Sequence, residues 1–206
     1  MRTLPAAIAA AAALATLSAC ATPAVTSPVE VTRFLDPAAQ ARLGQGTVFV
    51  ESAPGVEGDS LALSPYKEAV ARELEELGYR EALRAAAAHI AQVRVERFVT
   101  GRGGRERSPV NVGVGGSTGS YGSGVGLGVG INLGGGGPRE MLDTQIGVMI
   151  KDKQSGATLW EGRAQFSVSD NSPYADTSDN ASAIADALFR GFPGNNGETI
   201  EVRVPE

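Results

Sequence analysis

Apolar and polar positions follow two periods along this chain. In the stretch 66–79, Tyr66, Val70, Leu74 and Leu77 recur at helical spacing, which predicts a helix with one buried face. Ser64 stands where an N-cap is expected, Pro65 at the first helical position and Gly78 just past the end. The other period is two. "GTVFVESAP" (46–54) alternates until Pro54 closes it, and in "HIAQVRVERFV" (89–99) Ala91, Val93 and Val95 oppose Gln92, Arg94 and Glu96. "TQIGVMIKDKQSGATLWEGRAQFSV" (144–168) reads as a β-hairpin turning at 152–156. A second helix is predicted from a cap among Ser178, Asp179 and Asn180 to about Arg190, with Gly191 and Pro193 stopping it. "ETIEVRV" (198–204) is a terminal strand. The alanine run 85–88 is ambiguous and could extend a further short helix.

These elements predict an α+β fold: a mostly antiparallel sheet with two helices packed on one face. A third pattern adds an insertion. Glycine takes every even position from Gly124 to Gly130, while Val125, Leu127, Val129, Ile131 and Leu133 take odd ones. With Val110, Val112 and Val114 on the far side of a Gly/Ser tip, residues 110–137 read as a Gly-rich β-hairpin. Gly124, Gly126, Gly128 and Gly130 would form a bare face that a second surface can approach closely. A low-complexity insertion that merely tolerates glycine is the other reading. A phosphate loop is not, because no Lys occurs between Lys67 and Lys151 and such a loop needs one after its glycines.

The first residues bear on location. Arg2 precedes an alanine-rich apolar run from Leu4 to Leu17, the pattern of a secretory signal peptide over residues 1–19. It ends in Leu17-Ser18-Ala19-Cys20, which resembles the bacterial lipobox. That resemblance implies cleavage before Cys20 and acylation of its sulfur and new amino terminus. Two or three acyl chains hold a protein on a bilayer where one holds marginally. Cys20 is the sole cysteine, so no disulfide staples the remainder. Ala21 follows it instead of Asp, which points to the periplasmic side of the outer membrane. Residues 20–31 read as lipidated Cys and tether, and 32–206 as one domain.

Net charge is −5, which disfavours a nucleic-acid partner. Against this acidic background Arg94, Arg97, Arg102, Arg105 and Arg107 form a basic cluster. A solvated loop explains it, as does docking to an anionic envelope polymer or lipid phosphates, which guanidinium forks pair bidentately. His89 is the lone histidine and is expected at the surface or a strand edge. Asp170, Asp176 and Asp179 lack the spacing of a calcium loop and are read as turn and cap residues. Trp160 is expected to anchor the core. No catalytic residue, metal site or cofactor is indicated.

The lipobox-like phrase, "YKEAVARELEELGYRE" (66–81), "ATLWEGRAQFSV" (157–168) and "ALFRGFPG" (187–194) together resemble domain-of-unknown-function family 4136, small bacterial envelope lipoproteins. The family phrases fall on Leu74, Leu77, Gly78 and Tyr79, on Trp160 and Gly162, and on Phe192 and Pro193. The first strand departs from the family pattern, keeping only Thr47 and Phe49. The resemblance implies no catalytic residue and no ligand. The leading expectation is a non-enzymatic, membrane-anchored module that binds another envelope protein or supports envelope integrity. The alternative is a carrier of a small apolar ligand or lipid in a groove between sheet and helices. A hydrolase is the distant third.

Overall fold

The computed structural model describes residues 23–55, 61–100 and 140–205. Seven strands form one sheet: β1 (Val29–Leu35), β2 (Thr47–Ser52), β3 (Arg80–Glu81), β4 (His89–Thr100), β5 (Met141–Asp152), β6 (Thr158–Ser169) and β7 (Thr199–Val202). Their spatial order is β3-β2-β4-β5-β6-β1-β7. Two helices, α1 (Ser64–Glu76) and α2 (Thr177–Phe189), and two short 3₁₀ turns complete the described elements.

The sheet is mixed, which corrects the mostly antiparallel expectation. β2 runs parallel to both β3 and β4, whereas β4–β5, β5–β6, β6–β1 and β1–β7 are antiparallel. The reason is the crossover. A helix that leaves β2, packs over the sheet and returns brings the next strand back in the same direction. The predicted Gly-rich hairpin at 110–137 lies outside the described residues.

A second correction concerns the start of the domain. β1 begins at Val29, inside the segment expected to be tether, and pairs with β6 on one side and β7 on the other. Val29 and Val31 are fully buried. The alanine run 85–88 is a turn, not a helix, closed by the Ala86 and Ala87 amides on the Leu83 carbonyl.

Alternation sorts the central strands into two faces. Ala91 and Val93 of β4, Ile146, Val148 and Ile150 of β5, and Trp160, Ala164, Phe166 and Val168 of β6 share one face with Val29 and Val31. Against it pack Tyr66, Ala69, Val70 and Leu74 of α1 and Ala181, Ile184, Ala185 and Leu188 of α2. Buried apolar surface contributes roughly 25 cal/mol per Å², and this layer is the core.

The helix ends show which local signals acted. α2 starts two residues before the expected range, because the Asp176 carboxylate accepts from the Ser178 amide at 2.8 Å. That side chain's bond from the Ser178 hydroxyl, then its amide, hold the Asp176 carboxyl below its usual range. Ser64 lies within α1 and makes no side-chain cap. Gly78 ends α1 at φ +102°, and a β-carbon there would meet the Gly44 carbonyl oxygen at 2.6 Å. Gly78→Ala is therefore expected to cost more than about 1 kcal/mol, read as a lowered urea midpoint. An unchanged midpoint would mean the Gly44 loop moves aside freely.

Candidate functional surface

The helices cover one face of the sheet, and the register assembles the other. Glu96 of β4 pairs with Gln145 of β5, Gln145 with Gln165 of β6, Gln165 with Glu30 of β1, and Glu30 with Glu201 of β7. All five side chains are exposed. With strands about 4.8 Å apart, this row is about 19 Å long. Glu30 and Glu201 stand directly opposite one another, an arrangement that destabilises a sheet. Among the described residues neither has an ion-pair partner, whereas Glu96 takes Arg94 at 2.6 Å.

The neighbouring rows are more self-contained. Arg163 of β6 pairs with Glu161 at 2.7 Å and lies 5.9 Å from the Phe34 ring centroid. Thr32 and Thr199 share a hydroxyl–hydroxyl bond of 2.9 Å. On β2, burial pushes the Glu51 carboxyl up, but bonds from Arg84 and Gln92 outweigh it and hold the group below its usual range. The free acceptors therefore concentrate at the β1–β7 side of the face. Such a row suits ammonium or guanidinium groups and repels an anionic polymer.

The basic cluster does not form one patch in the described part. Arg94 and Arg97 lie three positions apart on β4, so they project from opposite faces. Arg97 turns toward α2 and donates to the Thr177 hydroxyl at 2.7 Å and to the Ala175 carbonyl. Arg102, Arg105, Arg107, Cys20 and Gly124, Gly126, Gly128 and Gly130 lie outside the described residues.

His89 corrects the surface expectation. It is buried at the start of β4, and its ring meets Tyr79 edge-on at 5.7 Å. Its Nδ1 has no hydrogen-bond partner among the described residues. Tyr66 is buried too. Its hydroxyl donates to Asn180 Oδ1 at 3.0 Å, and Asn180 donates to the Tyr174 carbonyl at 3.2 Å. Burial pushes the Tyr66 hydroxyl above its usual pKa. This polar pair joins α1 to α2 beneath the surface, where a solute cannot reach it.

A shallow groove of about 410 Å³ lies beside α1, lined by Val50, Lys67, Glu68, Ala71, Arg72, Glu75 and Glu81. Its rim is charged, the wrong chemistry for the apolar ligand of a carrier. Among the described residues no group of His, Cys, Asp and Glu could hold a metal ion, and no helix is long and apolar enough to cross a membrane.

Sequence reasoning missed the acidic row because its members come from five strands. Arg33 was missed for another reason. It is 1% exposed at a core-facing position of β1, and its Nε and Nη2 donate to the Leu188 carbonyl at 3.3 and 3.1 Å. It also reaches the Arg190 carbonyl and pairs with Glu198 at 3.1 Å. The period-2 run through Val29 and Val31 was a signal for β1, and the charge of Arg33 interrupts it.

These features define a domain with a seven-stranded mixed sheet that carries two helices on one face and, among the described residues, an exposed acidic row on the other. The family model for DUF4136, a domain of unknown function, matches residues 39–194, and the chain belongs to that family. No curated protein matches it. Among solved structures it is similar to the PelC dodecamer from Paraburkholderia phytofirmans, at 15% identity and TM-score 0.44, over 78% of this chain and 94% of that one. It is also similar to a PDZ domain protein from Parabacteroides distasonis, at 13% identity and TM-score 0.48, over 94% of this chain and 42% of that one.

Proposed function

We propose that this protein is a lipid-anchored lipoprotein of the outer membrane, facing the periplasm, whose domain is a non-enzymatic partner-binding module. The lipobox-like Leu17-Ser18-Ala19-Cys20 supports the anchor. One observation supports the binding role: the exposed row Glu96, Gln145, Gln165, Glu30 and Glu201. The opposed carboxylates of Glu30 and Glu201, without an ion-pair partner among the described residues, cost fold stability, so a role outside the fold accounts for them. The partner is an envelope protein that presents lysine or arginine side chains to this row.

The test is a photo-crosslinking side chain at Gln165, activated in intact cells. A discrete protein adduct is expected. Glu30→Lys with Glu201→Lys should reduce it about tenfold or more, since like-charge juxtaposition is strongly unfavourable at an interface. Glu68→Lys, on α1, should leave it intact. An adduct indifferent to the reversal, or none at all, overturns the role of the row.

A further inference from the structure

The expected tether is much shorter than its sequence suggests. Thr26 forms a β-bridge with Val168. The Val25 amide donates to the Ser169 hydroxyl at 2.8 Å, and the Ser169 amide donates to the Val25 carbonyl at 2.8 Å. The Ser27 amide donates to the Ser167 carbonyl at 2.9 Å, the Ser167 amide to the Ser27 hydroxyl at 3.0 Å, and the Thr26 and Ser172 hydroxyls share a bond of 3.0 Å. From Val25 onward the chain is thus part of the sheet. Five Cα steps separate Cys20 from Val25, a reach of at most about 18 Å. A tether free to Val31 would reach about 40 Å.

The register says which end of the sheet this link reaches. Ser169 pairs with Met141, and Met141 with Thr100. The entry at Val25, the end of β4, the start of β5 and the end of β6 are therefore together. Glu140 and Asp170 sit there and are exposed, and the Asp170 amide donates a hydrogen bond to the Glu140 carbonyl at 3.1 Å. The β5–β6 turn at Lys153–Gly156 is at the opposite end, one 12-residue strand away, or roughly 40 Å.

We infer that the domain stands end-on upon the lipid surface, with the Glu140–Asp170 end against the headgroups and the β5–β6 turn pointing away. This rests on the acylation of Cys20 proposed above. A short link to a fixed strand end leaves little freedom to tumble, so the acyl chains select the facing end. The sheet then rises from the membrane, and its acidic row faces sideways. Gln165 lies four residues from Ser169, about 13 Å along β6. A partner binding that row is accordingly one held close to the same membrane.

The experiment uses the full acylated lipoprotein in phosphatidylethanolamine–phosphatidylglycerol vesicles that carry a headgroup acceptor dye. Acylation consumes the native cysteine, so Asp170→Cys and Gln154→Cys each supply one thiol for a donor dye. Energy transfer should place the Asp170 dye within about 20–25 Å of the headgroup plane and the Gln154 dye roughly 40 Å farther out. Twelve Gly/Ser residues inserted between Ala21 and Thr22 should abolish most of that difference. Equal distances in the unextended protein, or a nearer Gln154, overturn the end-on posture. A difference that survives the insertion overturns the link as its cause. The mass of the N-terminal peptide reads acylation separately, and an unmodified Cys20 overturns the anchor itself.

Discussion

Gly162→Val should prevent the domain from folding, and Trp160→Ala should cost about 3–5 kcal/mol. Trp160 is fully buried. Its ring stacks on Phe189 at 5.3 Å and tilts against Phe192 at 5.2 Å, and its indole N–H donates to the Pro193 carbonyl at 3.0 Å. Gly162 is the floor of this assembly. A β-carbon there would stand 2.2 Å from Trp160 Cη2 and 2.8 Å from Leu188 Cδ1, distances that atoms do not tolerate. Neither neighbour can retreat, because both are fully buried in a close-packed layer. The spacing of Trp160 and Gly162 and the downstream Phe192 and Pro193 thus describe one packing unit. A domain is stable by about 5–15 kcal/mol, so the Trp160 loss alone takes a large share. Urea titration measures both variants. A Gly162→Val midpoint near that of the parent would mean the ring does not rest on residue 162.

Much of this packing was legible, for reasons that differ by element. Tyr66, Val70 and Leu74 announced α1 because helical spacing needs only local sequence. The β5–β6 hairpin was visible because its turn and both alternating arms are contiguous. Strand direction was not visible, since period-2 alternation is the same in parallel and antiparallel pairs. β1 escaped because Pro28 and small residues precede it and a charge interrupts its core face. His89 shares the parity of Ala91 and Val93, so its burial followed from the alternation that predicted β4. Its polarity argued the other way, and position prevailed. The acidic row was least legible. Glu30 and Glu201 come from opposite ends of the chain, and only the pairing of β1 with β7 sets them side by side.

Arg33→Met is the second large effect expected, about 3–5 kcal/mol of stability. α2 ends with carbonyls that lack intrahelical partners, and its C-terminus carries partial negative charge. The Arg33 guanidinium meets both, through the Leu188 and Arg190 carbonyls, and its third arm holds Glu198. Methionine fills the stem but leaves those acceptors without a donor in a buried place. Arg33→Lys should not restore stability, because a single ammonium cannot reproduce the planar fork. The pH dependence separates the ion pair from the helix end. Bonds from Asn195, then the one from Arg33, hold the Glu198 carboxyl below its ordinary value of 4.5. A carboxyl lowered in the folded state adds stability that is present above its unfolded pKa and lost as pH falls through the folded one. The advantage of the parent over Glu198→Gln should therefore be steady near neutral pH, begin to fall as pH drops below about 4.5 and vanish only below the lowered folded-state value. The deficit of Arg33→Met should shrink over the same range without closing, since the carbonyls do not titrate. Thermal melts at stepped pH measure both. An Arg33→Met protein that melts with the parent at neutral pH would show that α2 needs no cationic cap.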